Sequence, residues 1–338
     1  LFAPRPLLAT EPSVRDQGAP VPASFFDLAV FASYNAVKLR VRQGGVYLYL
    51  HGVHGHGEAR LWKRLFEYLE ESLGLPRGTF RATVFLDSLA GALEADEILF
   101  ELDHYSAGLA LDPQQYVVDH ILLFSAPDRA VLPDREHIGL NQHILRSLSL
   151  MAISVCHKRQ AHAIGAPAFT LPPDERGRTR TGWLEMIADK EREAVDGHDG
   201  TIVAHPGLVN PAMTEFNKSM PRSHQMYYER PDRSKPSDLV QRPTGTITTE
   251  GLVGAIRTVL AALAAREQGS AKVEHGGRSH DRGSIRLSTL LLWSWTRSSH
   301  GIVTDTGLEI HDELISYLIK KEAEIGRASC RERASSVV

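Results

Sequence analysis

Cysteine is scarce in this chain: Cys156 and Cys330 are the only two in 338 residues. Two isolated thiols supply neither a disulfide framework nor a zinc-finger spacing, so a reducing compartment, the cytoplasm, is expected. A surplus of one charge is missing too. Lys and Arg number 38 against 41 Asp and Glu, a formal net charge of -3, without the electrostatic footprint of a nucleic-acid-binding protein. No apolar run reaches membrane-spanning length, since the best stretch, residues 287–295, is broken by Ser and Thr. Internal repeats and long low-complexity tracts are also lacking. The chain starts at Leu1 rather than Met, as expected of a fragment. Residues 325–333 (IGRASCRER) resemble a translated sequencing adapter, so 325–338 is set aside from fold reasoning.

What is present is enough apolar sequence, 42% of 338 residues, to bury a full α/β core. The stretch at 83–86 (TVFL) predicts a buried strand ending on Asp87, and Leu89, Leu93, Ile98 and Leu99 then recur at helical spacing. A strand that hands a carboxylate to a helix is the grammar of a β/α barrel, where catalytic groups stand at the carboxyl ends of strands. The plainer alternative makes Asp87 a helix N-cap. Further strands are predicted at 46–50, 116–124, 161–169, 201–204 and 272–275. Helices are predicted at 25–39, 59–73, 141–159, 183–195, 249–266 and 284–298. Residues 9–24 and 172–180 read as loops, and 218–246 as a polar linker or lid. Strand and helix thus alternate about seven times, the pattern of parallel β/α units.

Three groups outside that alternation invite chemistry. His51, His54 and His56, with Glu58, could build a transition-metal site, or form an ordinary loop of packing histidines. Cys156-His157 could suggest a nucleophile pair, but adjacent helical residues point apart, which favours a structural helix. The run Lys190-Glu191-Arg192-Glu193 reads as a solvated helix face.

A set of dispersed motifs carries a family resemblance: GEARLW at 57–62, GLPRGT at 74–79, DEIL at 96–99, SAGL at 106–109, VLPDR at 131–135 and CHKR at 156–159. They continue with AHAIG at 161–165, DKERE at 189–193, DGHDG at 196–200, VAHP at 203–206, GTITTEGL at 245–252 and Trp293-Ser294-Trp295. In this order they resemble the A-type malate synthases over nearly all of residues 1–324. The resemblance implies a TIM-type (β/α)8 barrel over 1–283, incomplete at the N-terminus where the first strand is missing. It also implies the start of a C-terminal helical domain over 284–324. The implied activity is condensation of acetyl-CoA with glyoxylate and thioester hydrolysis, giving malate and CoA. That chemistry needs a base for the acetyl methyl proton, and Mg2+ with an arginine on the aldehyde oxygen.

Carried over residue by residue, the resemblance implies Asp281 as the base, in a run SHDRGS at 279–284 where the family has MEDAAT. Asp281 also suits the N-cap of the helix that follows. The metal ligands implied are Asp87, in LDSL where the family has IETL, and Gln115, where the family's GLNxGxWDY reads GLALDPQQY at 108–116. The first is one methylene shorter than Glu and the second has lost its charge, so a weakened Mg2+ site is expected. Where the family has RPRG the chain has Ala3-Pro4-Arg5-Pro6, so its first Arg is Ala3 and Arg5 is the implied substitute. These departures leave a second reading beside the enzyme, a catalytically inactive homologue kept as a binding or structural module, and a third, a related acyl-CoA lyase or aldolase. Glyoxylate and acetyl-CoA are the expected partners, with no nucleic acid and no membrane.

Overall fold

The computed structural model describes residues 1–124, 131–173, 180–231, 234–270 and 273–335. The chain opens with a two-stranded antiparallel hairpin, β1 (Thr10–Asp16) and β2 (Ala19–Pro22), inside the predicted loop 9–24. Its turn residues Gln17 and Gly18 both have positive φ, 46° and 85°, the backbone that closes a tight hairpin with right-handed strand twist. Helix α1 (Ala23–Gln43) ends at Gly44 in the left-handed conformation, and β3 (Val46–Leu50) follows.

Next come α2 (His56–Ser72), β4 (Phe80–Leu86), α3 (Leu89–Leu93) and α4 (Ala95–Leu102), the last two breaking at Glu94 what the pattern predicts as one helix. Strand β5 (Ser106–Leu111) leads into α5 (Pro113–Leu123). Here the structure corrects the sequence: of the predicted strand 116–124, residues 116–123 are helix and Phe124 is its C-cap, and the strand lies ten residues upstream. Pro113 at the first helical position and the Asp112 carboxylate on the Gln115 N–H start the helix, and a continuous apolar run is compatible with either state once buried.

Helix α6 (His143–Lys158) precedes the short strand β6 (His162–Ile164), then α7 (Arg180–Asp196) and α8 (Val209–Ser219). Most of the predicted loop 172–180 and Lys272 lie outside the described residues, as do 336–338. The predicted strand 201–204 is reduced to parallel bridges, Ile164 with Gly200 and Ala168 with Val203. The predicted lid 218–246 starts inside α8 and is pinned: Gln225 donates to the Ala194 and His198 carbonyls, and Tyr116 Oη donates to the Leu239 carbonyl at 2.9 Å. Helix α9 (Thr249–Glu267), the antiparallel hairpin β7 (Val273–His275) and β8 (Arg278–His280), α10 (Arg282–Arg297) and α11 (Asp312–Ser335) complete the order.

Strands β3, β4, β5 and β6 form one parallel sheet in sequence order. A parallel bridge from Phe2 to Leu48 extends it on one side and the Gly200–Val203 bridges on the other, an arc of a barrel. Leu48, Leu50, Val84, Leu86, Leu109 and Leu111 turn outward into a core shared with Trp62, Phe66, Ile98 and Tyr116. Alternation sends the remaining residues, Tyr49, Thr83, Phe85 and Ala110, to the inner face. Leu287, Leu291 and Trp295 of α10 join the same core, and Trp295 Nε1 donates to the Leu132 carbonyl at 2.7 Å.

Candidate functional site

The inner face delivers side chains to the carboxyl end of the sheet one step past each strand. His51 follows β3 and stacks on Phe85 with ring centroids 4.1 Å apart. Asp87 follows β4. Its Oδ2 accepts the Gly52 N–H at 2.7 Å and lies 3.8 Å from His51 Nδ1, while its Oδ1 is buried without a hydrogen-bond partner. The N-cap reading of Asp87 is corrected, because Ser88 Oγ accepts the Gly91 N–H and Asp119 accepts the Leu89 N–H. With the capping done by neighbours, Asp87 is left to the sheet end. Gly52 has φ of 67°, and that left-handed turn lets its N–H face the carboxylate.

Asp112 follows β5 on the same rung. Leu86 pairs with Leu111, and the Asp112 N–H continues the ladder to the Leu86 carbonyl at 3.3 Å, so Asp87 and Asp112 are direct neighbours. Burial pushes the Asp87 carboxyl up to about 6, against the Gly52 N–H and His54, which favour its charge. Burial likewise pushes Asp112 up to about 7, opposed by the Gln115 N–H and reinforced by the charges of Asp281 and Asp87. Burial holds His51 below its ordinary value, with Asp281 acting against it. These mutual influences draw Asp87, Asp112, Asp281 and His51 into one neighbourhood.

Asp281 does cap α10, accepting the Ser284 N–H on Oδ1 at 2.7 Å, and it is exposed. Beside it Arg135 is half-buried, its guanidinium donating to His280 Nδ1 at 3.1 Å and to Ser284 Oγ at 2.6 Å. Burial, aided by Arg278, lowers it to about 10, against the pull of Glu136 and Asp281. Both hydrogen-bonded partners are neutral acceptors, and among the described residues no carboxylate lies at hydrogen-bond distance from this cation. A cleft of about 440 Å3 runs from Asp112, Gln114 and Arg135 to Lys190, Glu193 and Arg278. A second, of about 610 Å3, continues from Arg135 and Arg278 past His280 to Arg257. Asp87 and Asp281 are not among the wall residues of either; Asp112 and Arg135 join the carboxylates to the cleft.

The other expected groups fall elsewhere. The Arg5 guanidinium donates to Asp27 at 2.6 and 2.9 Å and to Glu11 at 2.9 Å, tying the first segment to α1 and β1. Those two carboxylates hold Arg5 well above its ordinary value. Gln115 stands in the first turn of α5, where its backbone N–H donates to Asp112 Oδ1 at 3.0 Å. The histidine loop disperses: His51 stacks on Phe85, His54 meets Ser88 Oγ at 2.8 Å and His56 meets Glu94 at 2.6 Å. Among the described residues no three His, Cys, Asp or Glu side chains group to hold a metal. Cys156 is buried, and burial raises its thiol far above the reactive range.

The solvated reading of 190–193 is also corrected. Lys190 and Glu193 are buried, and Lys190 Nζ donates to the Ala166 carbonyl at 2.6 Å and to Glu193 at 2.9 Å. Sequence reasoning sets Asp112 aside as three residues out of step with Gln115, and it misses Arg135 as a site residue. Placing the strand at 106–111 would have shown Asp112 as the counterpart of Asp87; Arg135 carried no signal beyond its motif.

Comparison with known proteins bears on this geometry. A family model described as "Malate synthase, TIM barrel domain" matches residues 4–242. A malate synthase of Myxococcus xanthus is 35% identical over 91% of this chain and 57% of its own length. A glyoxysomal malate synthase of Brassica napus is 33% identical over 95% of this chain and 59% of its own. The chain therefore spans less than two thirds of these relatives. A Haloferax volcanii malate synthase, solved as a pyruvate and acetyl-CoA ternary complex, superposes with a TM-score of 0.52 at 13% identity, covering 80% of this chain and 67% of that one. Among the described residues no helix is long and apolar enough to cross a membrane.

Proposed function

This chain belongs to the malate synthase family, and from that premise we propose that it condenses acetyl-CoA with glyoxylate and hydrolyses the thioester to malate and CoA. The observation that carries the proposal is the Asp87–Asp112 pair at the carboxyl end of the sheet, beside a cleft lined by Asp112 and by Arg135, which Ser284 links to Asp281. In it Asp281 is the base. One carboxylate oxygen is fixed by the Ser284 N–H, and the other takes the proton from the acetyl methyl carbon. The carbanion then attacks the aldehyde carbon, and water cleaves the thioester. Arg135 binds the carboxylate of glyoxylate, a charge-assisted pairing for which its fork is suited. Arg5 could take that role only by leaving Asp27 and Glu11. A bound Mg2+ supplies Lewis-acid polarisation of the aldehyde oxygen. The buried, unpartnered Asp87 Oδ1 fits such an ion, with a second oxygen ligand from the 112–115 segment, whose family-aligned position is Gln115. A cytoplasmic location belongs to the same proposal.

The test is CoA release from acetyl-CoA that depends on glyoxylate and Mg2+. Asp281→Asn is expected to lower turnover by about a hundredfold, the smaller end of what a positioned base contributes. Wild-type release no greater than in that variant would sink the enzyme reading and leave the inactive homologue that Ala3 and Gln115 favour. Arg135→Gln is expected to raise the KM for glyoxylate about tenfold or more, with a smaller change in kcat, because a hydrogen-bonded ion pair to the substrate is lost. A KM unchanged in Arg135→Gln but raised in Arg5→Gln would return the role to Arg5.

A further inference from the structure

We infer that Asp112, rather than Gln115, joins Asp87 in holding a divalent cation. The malate synthase reading supplies the expected ion, Mg2+, while the geometry supplies the pair. Leu86 and Leu111 are registered partners in adjacent parallel strands, and the ladder continues from the Asp112 N–H to the Leu86 carbonyl. Asp87 and Asp112 therefore project from neighbouring strands about 5 Å apart, on the same face. Two carboxylates so placed can reach one ion, the remaining positions going to water and substrate, the usual arrangement for Mg2+.

The hydrogen bonding is consistent with an ion between them. Asp87 is 5% exposed, and its Oδ1 has no donor although Oδ2 accepts the Gly52 N–H. Asp112 uses Oδ1 for the Gln115 N–H, which leaves Oδ2. Two residues on, Gln114 Oε1 is another buried oxygen without a donor, a neutral ligand of the kind hard cations accept. Without a cation, a buried and a half-buried carboxylate repel on adjacent strands and two buried oxygens, Asp87 Oδ1 and Gln114 Oε1, are unsatisfied, at a cost. Gln115 stands one turn along α5 and engages Asp112 through its backbone alone among the described hydrogen bonds. The carboxylate that position 115 lacks is thus supplied three residues earlier, and the pair keeps two negative charges.

The experiment is Mn2+ titration of the full 338-residue chain, following free Mn2+ by electron paramagnetic resonance, with thermal melting of each variant alongside. Asp112→Ser keeps a helix-capping oxygen and removes the charge together with the second carboxylate oxygen. Wild type is expected to bind one Mn2+; Asp112→Ser and Asp87→Asn are each expected to weaken binding at least tenfold, and Gln115→Ala to stay within twofold. Asp112→Ser is also expected to melt no lower than wild type without metal and to lose the Mn2+-dependent rise in Tm. No Mn2+ uptake by wild type, or weakening by Gln115→Ala with Asp112→Ser unaffected, overturns the inference. If Asp112→Ser does not fold, Asp112→Glu decides: retained Mn2+ binding supports the inference, and binding equal to that of Asp87→Asn overturns it. These readouts do not use condensation, so the malate synthase reading can fail while the cation site stands, and the reverse.

Discussion

Gly108→Ala is expected to cost about 3–5 kcal/mol of folding free energy, read as a fall in the urea midpoint. A Cβ at position 108 would lie 1.9 Å from the carbonyl oxygen of His162 and 2.8 Å from its nitrogen. Both are backbone atoms of β6, and Gly108 and His162 are registered partners, so neither can move without opening the strand pair. The backbone adds its own objection, since φ at Gly108 is 137°, a conformation close to glycine-only. The position follows a register shift between Ala82 and Thr83 in the pairing of β4 with β5, where Ala107 is left unpaired. A bulge there, followed by a residue without a side chain, lets β5 lie close against β6. A typical domain has about 5–15 kcal/mol in total, so the variant loses a large share of it. A midpoint unchanged from wild type would show that β5 and β6 are not held at this spacing in solution.

That close approach was not legible in the sequence, and the reason is general. A strand ending on a carboxylate was visible at Asp87 because a β-rich run stops sharply there. The equivalent strand at Ser106–Leu111 is made of small and aliphatic residues, SAGLAL, whose local preferences are weak, while the neighbouring YVVDHILLF looks more strand-like than it is. Burial in α5 overrode that preference, and Asp112 was lost with the misplaced strand. The helices were legible where apolar periodicity and end signals coincide, as at Thr249–Glu267 with Thr248 as cap. The outcome at the site follows the same division. Asp87 and Asp281 stand at junctions between elements, where sequence punctuation is strong; the Arg5 carboxylate partners, the Arg135 pairing with Ser284 and the Asp87–Asp112 pair depend on contacts between segments far apart in sequence.

Lys190→Ala is expected to destabilise the protein by about 3–5 kcal/mol, because removing one member of a buried ion pair strands the other. Side chains 190 and 193 are only 2% and 1% exposed. The three acceptors of Lys190, the Ala166 carbonyl and both Glu193 oxygens at 2.6, 2.9 and 3.1 Å, match its three N–H donors. Glu193 in turn accepts the Ala166 N–H at 3.0 Å, so the pair fastens the backbone of a residue on the cleft wall. Burial raises the Glu193 carboxyl above its ordinary value, with Lys190 opposing the rise. A raised carboxyl binds more protons folded than unfolded, so its contribution to stability falls as pH climbs from the unfolded value of about 4.3 to the folded one. Deleting Lys190 lifts the folded value further and extends that window upward. The penalty of Lys190→Ala is therefore expected to be smaller at pH 5 than at pH 8, measured by urea unfolding at both. Lys190→Met combined with Glu193→Gln removes both charges but keeps an acceptor for Ala166, and is expected to recover most of the loss and the pH slope with it. A penalty below 1 kcal/mol for Lys190→Ala at both pH values would instead mean that water reaches the pair and that Ala166 is held without it, through the Thr201 hydroxyl on its carbonyl.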